Sequence, residues 1–231
     1  MIKTNNNSIT KEFRYFTPVA GLFVAALLIS NTTAGKLFQL GPFVFPGGII
    51  VFPVSYIFGD ILTEVYGYGR ARRIIWTGFA AELLMVLVYW AVIALPPASF
   101  WPHQESISTI LGQVPRIVIA TIIGYLMGEF VNSYVLAKMK IWTKGKHLWT
   151  RTIGSTIAGE GVDTILFILI AFAGMYHGID LVRTMISVYI FKVLYEILAT
   201  PITYLIVGFL KKREGVDYYD YETDFTPFQW K

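Results

Sequence analysis

Six stretches of this chain, roughly 15–34, 43–66, 73–95, 115–138, 152–176 and 182–210, are each long and apolar enough to cross a bilayer as a helix, which takes about 20 residues. Inside hydrocarbon the backbone has no water to bond to, so a chain of this kind closes its hydrogen bonds within helices and packs them as a bundle. The composition agrees, with 55% hydrophobic and 15% charged residues, where soluble domains carry about 25% charged. The expected fold is an all-α membrane protein of six transmembrane helices. It comprises an N-terminal segment over 1–14, the bundle over 15–212, and an acidic, aromatic tail over 213–231. The first span has no small-x-small cleavage site near its end and is longer than a signal-peptide core, so it is expected to be retained.

Positive charge sets the orientation. Lys3, Lys11 and Arg14 precede span one. Arg70, Arg72 and Arg73 separate spans two and three. Lys138, Lys140, Lys144, Lys146 and Arg151 separate four and five, and Lys211, Lys212 and Arg213 follow six. With Lys231, fifteen of the nineteen basic residues fall on one side, against Lys36, Arg116 and Arg183 on the other and Lys192 within a span. Both termini are therefore expected in the cytoplasm, in a multi-pass protein of the cell (inner or plasma) membrane. The net charge of +4 is accounted for by the bilayer and does not point to nucleic acid. With no cysteine in the chain, disulfides and thiolate chemistry are excluded. His103, His147 and His177 are too scattered to suggest a metal site.

Proline and glycine mark the seams. Gly41-Pro-Phe-Val-Phe-Pro-Gly-Gly48 cannot be a regular helix, so span two is expected to enter through a broken segment covered by protein or lining a cavity. Leu95-Pro-Pro97 and Phe100-Trp-Pro102 read as an outer loop, and Pro201 predicts a kink in span six. The chain shows no internal repeat.

The interior is where the sequence departs from simple membrane helices. Asp60, Glu64, Glu82, Glu129, Glu160, Asp163 and Glu196 all fall within spans, with Lys192 as the one base among them. Ionisable groups at membrane depth are costly and mark substrate or ion paths. Counting along the helices, Asp60 lies about 15 Å and Glu160 about 13 Å from the basic side, so the charges gather toward one half of the membrane. Asp60 and Glu64, Glu160 and Asp163, and Lys192 and Glu196 each share a helix face. Tyr125, Glu129 and Asn132 with Ser133 make a similar stripe. Lys192 and Glu196 can simply neutralise each other, and Glu82 can be a satisfied packing contact. One lysine cannot neutralise all the remaining acids, so either several are protonated or a positively charged or donor-rich visitor meets them. Carboxylates accept paired N–H donors bidentately and aromatic faces stack on flat rings. A planar base with an amino-pyrimidinone edge therefore fits, and a cation or metal ion fits the acids alone.

The segment Phe52-Pro-Val-Ser-Tyr-Ile-Phe-Gly-Asp-Ile-Leu-Thr-Glu-Val-Tyr-Gly, followed by Arg70-Ala-Arg-Arg-Ile-Ile-Trp76, resembles the signature of the YhhQ-type queuosine precursor transporters of the vitamin uptake transporter group. Ser30-Asn31, Gly128-Glu-Phe-Val-Asn-Ser133, Ser155-Thr-Ile-Ala-Gly-Glu-Gly-Val-Asp163 and Phe191-Lys-Val-Leu194 extend the likeness over about 15–212. The resemblance implies six transmembrane helices and uptake of 7-cyano-7-deazaguanine and 7-aminomethyl-7-deazaguanine, without cofactor or metal. Asn31, Asp60, Asp163 and Lys192 match its motifs most directly. The substrate-binding set implied is Asn31, Tyr56, Asp60, Glu64, Trp76, Glu129, Glu160, Asp163, Lys192 and Glu196. In it one of Asp60, Glu160 or Asp163 takes the base edge, Tyr56 or Trp76 stacks, and Lys192 is counter-charge or donor.

A homo-oligomer is compatible with this reading. The alternative is a bundle like the substrate-specific component of energy-coupling-factor importers, working with a separate ATPase module that could dock on Gly21-Leu-Phe-Val-Ala25. An intramembrane enzyme is disfavoured, because no nucleophile–base set accompanies the acids, and no Walker A loop is present.

Overall fold

The computed structural model of the chain describes residues 13–142, 148–176, 178–216 and 226. The start of the N-terminal segment, the basic connection 143–147 with His147, His177 and the remainder of the acidic tail lie outside the described residues, as does the side chain of Tyr56. The elements are α1 (Phe16–Thr33), β1 (Leu37–Leu40), β2 (Phe43–Pro46), a 3-10 turn (Gly47–Ile50), α2 (Phe52–Tyr66), α3 (Tyr68–Ala94), α4 (Gln104–Leu111), α5 (Val114–Trp142), α6 (Leu148–Phe172) and α7 (Ile179–Glu214).

The molecule is mostly helical, and five stretches are long and apolar enough to cross a membrane: Phe16–Thr33, Tyr68–Ala94, Gln104–Asn132, Ile153–Phe172 and Ile179–Glu214. The expected span 43–66 takes another form. Pro42, Pro46 and Gly47-Gly48 interrupt it, because proline supplies no donor and glycine weakens a helix. Its beginning instead pairs back as an antiparallel hairpin, Leu37 opposite Pro46 and Leu40 opposite Phe43. Only 15 residues remain for α2, a length of about 22 Å against the roughly 30 Å of a bilayer core. The loop after α3 also holds a short helix, α4, that the aromatic and proline pattern did not suggest. Pro201 lies inside α7, which continues past it to Glu214.

At one end of the bundle, basic residues and a carboxylate tie four helix ends together. Gly67, with φ 86° and ψ 154°, joins α2 to α3 in a conformation open to glycine almost alone. Arg70, Arg72 and Arg73, expected in a connection, therefore sit on the first turns of α3. Arg70 donates to the Tyr66 carbonyl at 2.7 Å, closing the end of α2. Arg72 is buried, stands 5.3 Å over the Tyr68 ring and donates to the Thr226 carbonyl. Glu214, the last residue of α7, accepts from the backbone N–H of Arg14 at 3.3 Å and of Tyr15 at 2.7 Å, and from the Tyr66 hydroxyl at 3.2 Å. A carboxylate there also complements the dipole of α1.

At the opposite end Arg116 donates to the Ile170 carbonyl at 2.6 Å and to that of Ala173, capping α6. Arg183 donates to the Pro42 carbonyl, and the Val44 N–H donates to the Ser187 hydroxyl at 3.2 Å, fastening the hairpin onto α7. We call these the basic end and the hairpin end.

Apolar side chains from α1, α2, α3 and α5, among them Phe23, Leu27, Ile61, Leu62, Val65 and Phe79, form one core. Phe45, Ile49, Ile117, Ile168, Phe172 and Val188 form a second under the hairpin. In lipid, apolar faces gain little by leaving the solvent, so close packing decides which helices meet. Between α5 and α6 glycine permits it. A Cβ on Gly128 would lie 2.8 Å from the Asp163 Cβ and 2.9 Å from the Gly159 carbonyl oxygen, and one on Gly159 would lie 2.7 Å from the Asn132 Cβ. Gly128→Ala should lower stability by about 1–3 kcal/mol through overpacking. Gly21→Ala, where nothing stands within 4 Å, should leave the thermal midpoint of the detergent-solubilised protein unchanged; equal midpoints for the two variants would contradict the contact.

Candidate functional site

The glycine seam brings α6 close enough to α5 to seat Asp163 against the α5 backbone, where a Cβ on Gly124 would come 2.7 Å from its Oδ1. From that position Asp163 and Glu160, one turn apart on α6, both face Lys192 of α7. The lysine Nζ is 2.9 Å from Glu160 Oε2 and in direct contact with Asp163 Oδ2, and all three side chains are at most 5% exposed. The Phe52 ring covers the ammonium, its centroid 4.6 Å away. Lys192 therefore bridges across to α6 and does not pair with Glu196 on its own helix.

A second buried network lies nearer the hairpin end. Asn31 of α1 donates through Nδ2 to Glu82 of α3, and its Oδ1 accepts from the Thr121 hydroxyl of α5 at 2.8 Å. Glu82 is completely buried. The packing partner expected for it is thus an amide 51 residues away. Asn31 and Lys192 share the lining of a chamber of about 20 Å³ with Ser30, Phe52 and Phe167, closed at the hairpin by Pro46 and Gly48. That volume has room for a water molecule and no more.

The larger space opens on the other side of the lysine knot. A chamber of about 320 Å³ runs between α2 and α7, walled by Asp60, Thr63 and Glu64 on one side and Glu196, Thr200, Thr203 and Tyr204 on the other. These positions recur at helical spacing (60, 63, 64 and 196, 200, 203, 207, 211), so each wall is one stripe of its helix. Lys211 and Glu64 close the rim at the basic end with an ion pair of 2.5 Å. Glu196, 7% exposed, lines the chamber. It is the carboxylate that acts most strongly on Asp60 electrostatically, ahead of Glu129, Glu64 and Glu160. Neither Asp60 nor Glu196 has a side-chain hydrogen bond or ion pair among the described residues.

The profile of the family described as "Putative vitamin uptake transporter" matches residues 46–206, a stretch that contains both chambers' principal walls. The chain belongs to this vitamin uptake transporter family. With five helices long and apolar enough to cross a membrane among the described residues, it is a multi-pass membrane protein of a transporter family, not an enzyme. It is 28% identical over 188 residues to a Bacillus subtilis protein named "Probable queuosine precursor transporter", covering 80% of this chain and 82% of the relative. It is 26% identical over 125 residues to the Escherichia coli "Queuosine precursor transporter", covering 54% of each. A Haemophilus influenzae relative, also named "Probable queuosine precursor transporter", is 27% identical over 128 residues, covering 54% of this chain and 51% of that one. No solved structure matches the chain.

Set against this vitamin uptake transporter fold, the residues singled out from sequence fall into groups. Asp60, Glu64 and Glu196 line the large chamber, Asn31 and Lys192 the small one, and Glu160 and Asp163 flank the lysine between them. Glu129, half-buried on α5, faces Asp60 and Tyr125 electrostatically but lines neither chamber. Trp76 packs edge-on against Phe79 at 5.7 Å within the apolar core and lines neither. Tyr56 lies on α2, and its side chain is outside the described residues. Four uncharged polar wall residues escaped the sequence reading: Thr63, Thr200, Thr203 and Tyr204. Their signal was present, since Thr63 follows Asp60 at three residues and the others follow Glu196 at four, seven and eight. Among the described residues no three His, Cys, Asp or Glu side chains converge as a transition-metal site requires.

Proposed function

We propose that the chain imports queuosine precursors, the bases 7-cyano-7-deazaguanine and 7-aminomethyl-7-deazaguanine, for salvage into tRNA. The observation that carries this reading is the chamber between α2 and α7, which has two carboxylates without partners among the described residues and a volume of about 320 Å³. That volume lies at the small end of ligand pockets, which run from roughly 300 to 1,000 Å³. The amino-pyrimidinone edge of a deazaguanine presents adjacent N–H groups, and a carboxylate accepts such a pair bidentately. Asp60 is the acceptor in this reading, Tyr204 offers a ring face, and Lys192, held by Glu160 and Asp163, blocks the way to the small chamber.

In the same reading the hairpin, the 3-10 turn and α2 together make a sixth crossing. Both termini are cytoplasmic, and the bundle resembles a substrate-binding component of the energy-coupling-factor kind. The clustering of Arg70, Arg73, Lys211, Lys212 and Arg213 at the basic end supports that orientation. Dependence on a separate ATPase module is the second reading; it is favoured by Gly21 and Ala25, both exposed on α1.

Purified protein in proteoliposomes, with no other component, is expected to accumulate either deazaguanine and to be inhibited by the other. Uptake only when an ATPase module is added would select the second reading, and no binding of either base would remove both.

A further inference from the structure

Four carboxylates inside the bundle meet donors. Glu82 receives the Asn31 amide, Glu64 receives Lys211, and Glu160 and Asp163 share Lys192. Asp60 and Glu196 face one space with neither hydrogen bond nor ion pair among the described residues, and Glu196 is only 7% exposed.

Two of the hydroxyls around them cannot help. Thr200 donates its proton to the Glu196 carbonyl at 2.7 Å and Thr203 to the Ala199 carbonyl at 3.2 Å. Having given their protons to the helix backbone, these oxygens present only lone pairs to the chamber. Near Glu196 the α7 wall thus offers a carboxylate and two hydroxyl oxygens as acceptors.

A neutral base does not balance such a wall. Its amino-pyrimidinone edge occupies one carboxylate and leaves the other without a donor or counter-charge among the described residues. Lys211, the nearest lysine on the wall, is engaged at the rim by Glu64. Oxygen ligands without nitrogen or sulfur suit a hard cation. Glu64, the third acid of the chamber, is held by Lys211, so the ligand charge left is two carboxylates with neutral hydroxyls, which suits a monovalent ion better than a calcium-like one.

We propose that the α2–α7 chamber has a second site, built from Glu196, Thr200 one turn along α7, and Asp60, for a monovalent hard cation of the sodium or potassium class. The proposal deepens the reading of the chamber as the base site, since the ion would sit beside the base, but the site is defined by this chain's own oxygens and is tested without any base.

Thermal unfolding of the detergent-purified protein is followed in sodium, potassium or choline chloride at constant ionic strength. Sodium or potassium is expected to raise the midpoint saturably, by about 3–6 °C at tenfold the half-saturating concentration, with choline inert. In Glu196→Gln and in Thr200→Val that rise is expected to shrink or vanish, while the midpoint in choline stays near that of the wild-type chain or above it. Equal midpoints in the three salts would overturn the proposal, as would an undiminished response in both variants, or a midpoint that answers to acidification but to neither ion. Failure here leaves base uptake to be judged on its own assay, and failure of base uptake leaves the ion response standing.

Discussion

Lys192→Met is expected to lower the thermal midpoint of the purified protein by about 10 °C and to cut its yield in the membrane. Among the described residues the lysine is the cation in contact with Glu160 and Asp163, each at most 5% exposed. Removing one partner of a buried ion pair leaves uncompensated charge and costs about 3–5 kcal/mol. At the size of this chain each kcal/mol moves the midpoint by about 2–4 °C. The cation–π contact with Phe52 adds at most about 2 kcal/mol, so the carboxylates left behind dominate. The control is the triple variant Lys192→Met, Glu160→Gln, Asp163→Asn, which removes the orphaned charges with the lysine and should recover most of the loss. A single variant that melts with the wild type would mean that the three groups do not depend on one another.

The spans were legible because a membrane helix satisfies its backbone locally, so length and apolarity alone fix α1, α3, α5, α6 and α7 to within a few residues. The hairpin was not. Gly41-Pro42 and Pro46-Gly47-Gly48 announce that no helix can form there, but strands of four residues carry no usable period. Their pairing is fixed by Arg183 and Ser187, more than 140 residues away.

The site divides along the same line. Helical spacing put Asp60 beside Glu64 and Glu160 beside Asp163 correctly, because a shared face is a local property. Spacing alone could not say whom Lys192 would meet. Glu196 is four residues along its own helix, but Gly124, Gly128 and Gly159 let α6 come in close to α5 and set Asp163 and Glu160 opposite the lysine. That choice of partner frees Glu196 for the chamber. The Asn31–Glu82–Thr121 network joins three helices and has no local signature at all.

Asp60→Asn should separate binding from folding as cleanly as Lys192→Met confuses them. Asp60 has no side-chain partner among the described residues, and its nearest electrostatic neighbours are acids, Glu196 first. Taking away its charge therefore removes a repulsion and breaks no contact, and the thermal midpoint should hold or rise. Binding should suffer, because the amide keeps one acceptor but turns an N–H toward a base edge that itself presents N–H groups. A hydrogen bond to a charged acceptor contributes about 1.5–3 kcal/mol, and the mismatched donor adds to the loss. Affinity for 7-aminomethyl-7-deazaguanine should fall by about 100-fold, with uptake in proteoliposomes reduced to background. Asp163→Asn is expected to impair uptake by a different route, by loosening Lys192, and so to lower the midpoint as well. Wild-type affinity in Asp60→Asn, with the protein folded, would show that the base edge does not rest on this carboxylate and would move the site to the far side of the lysine.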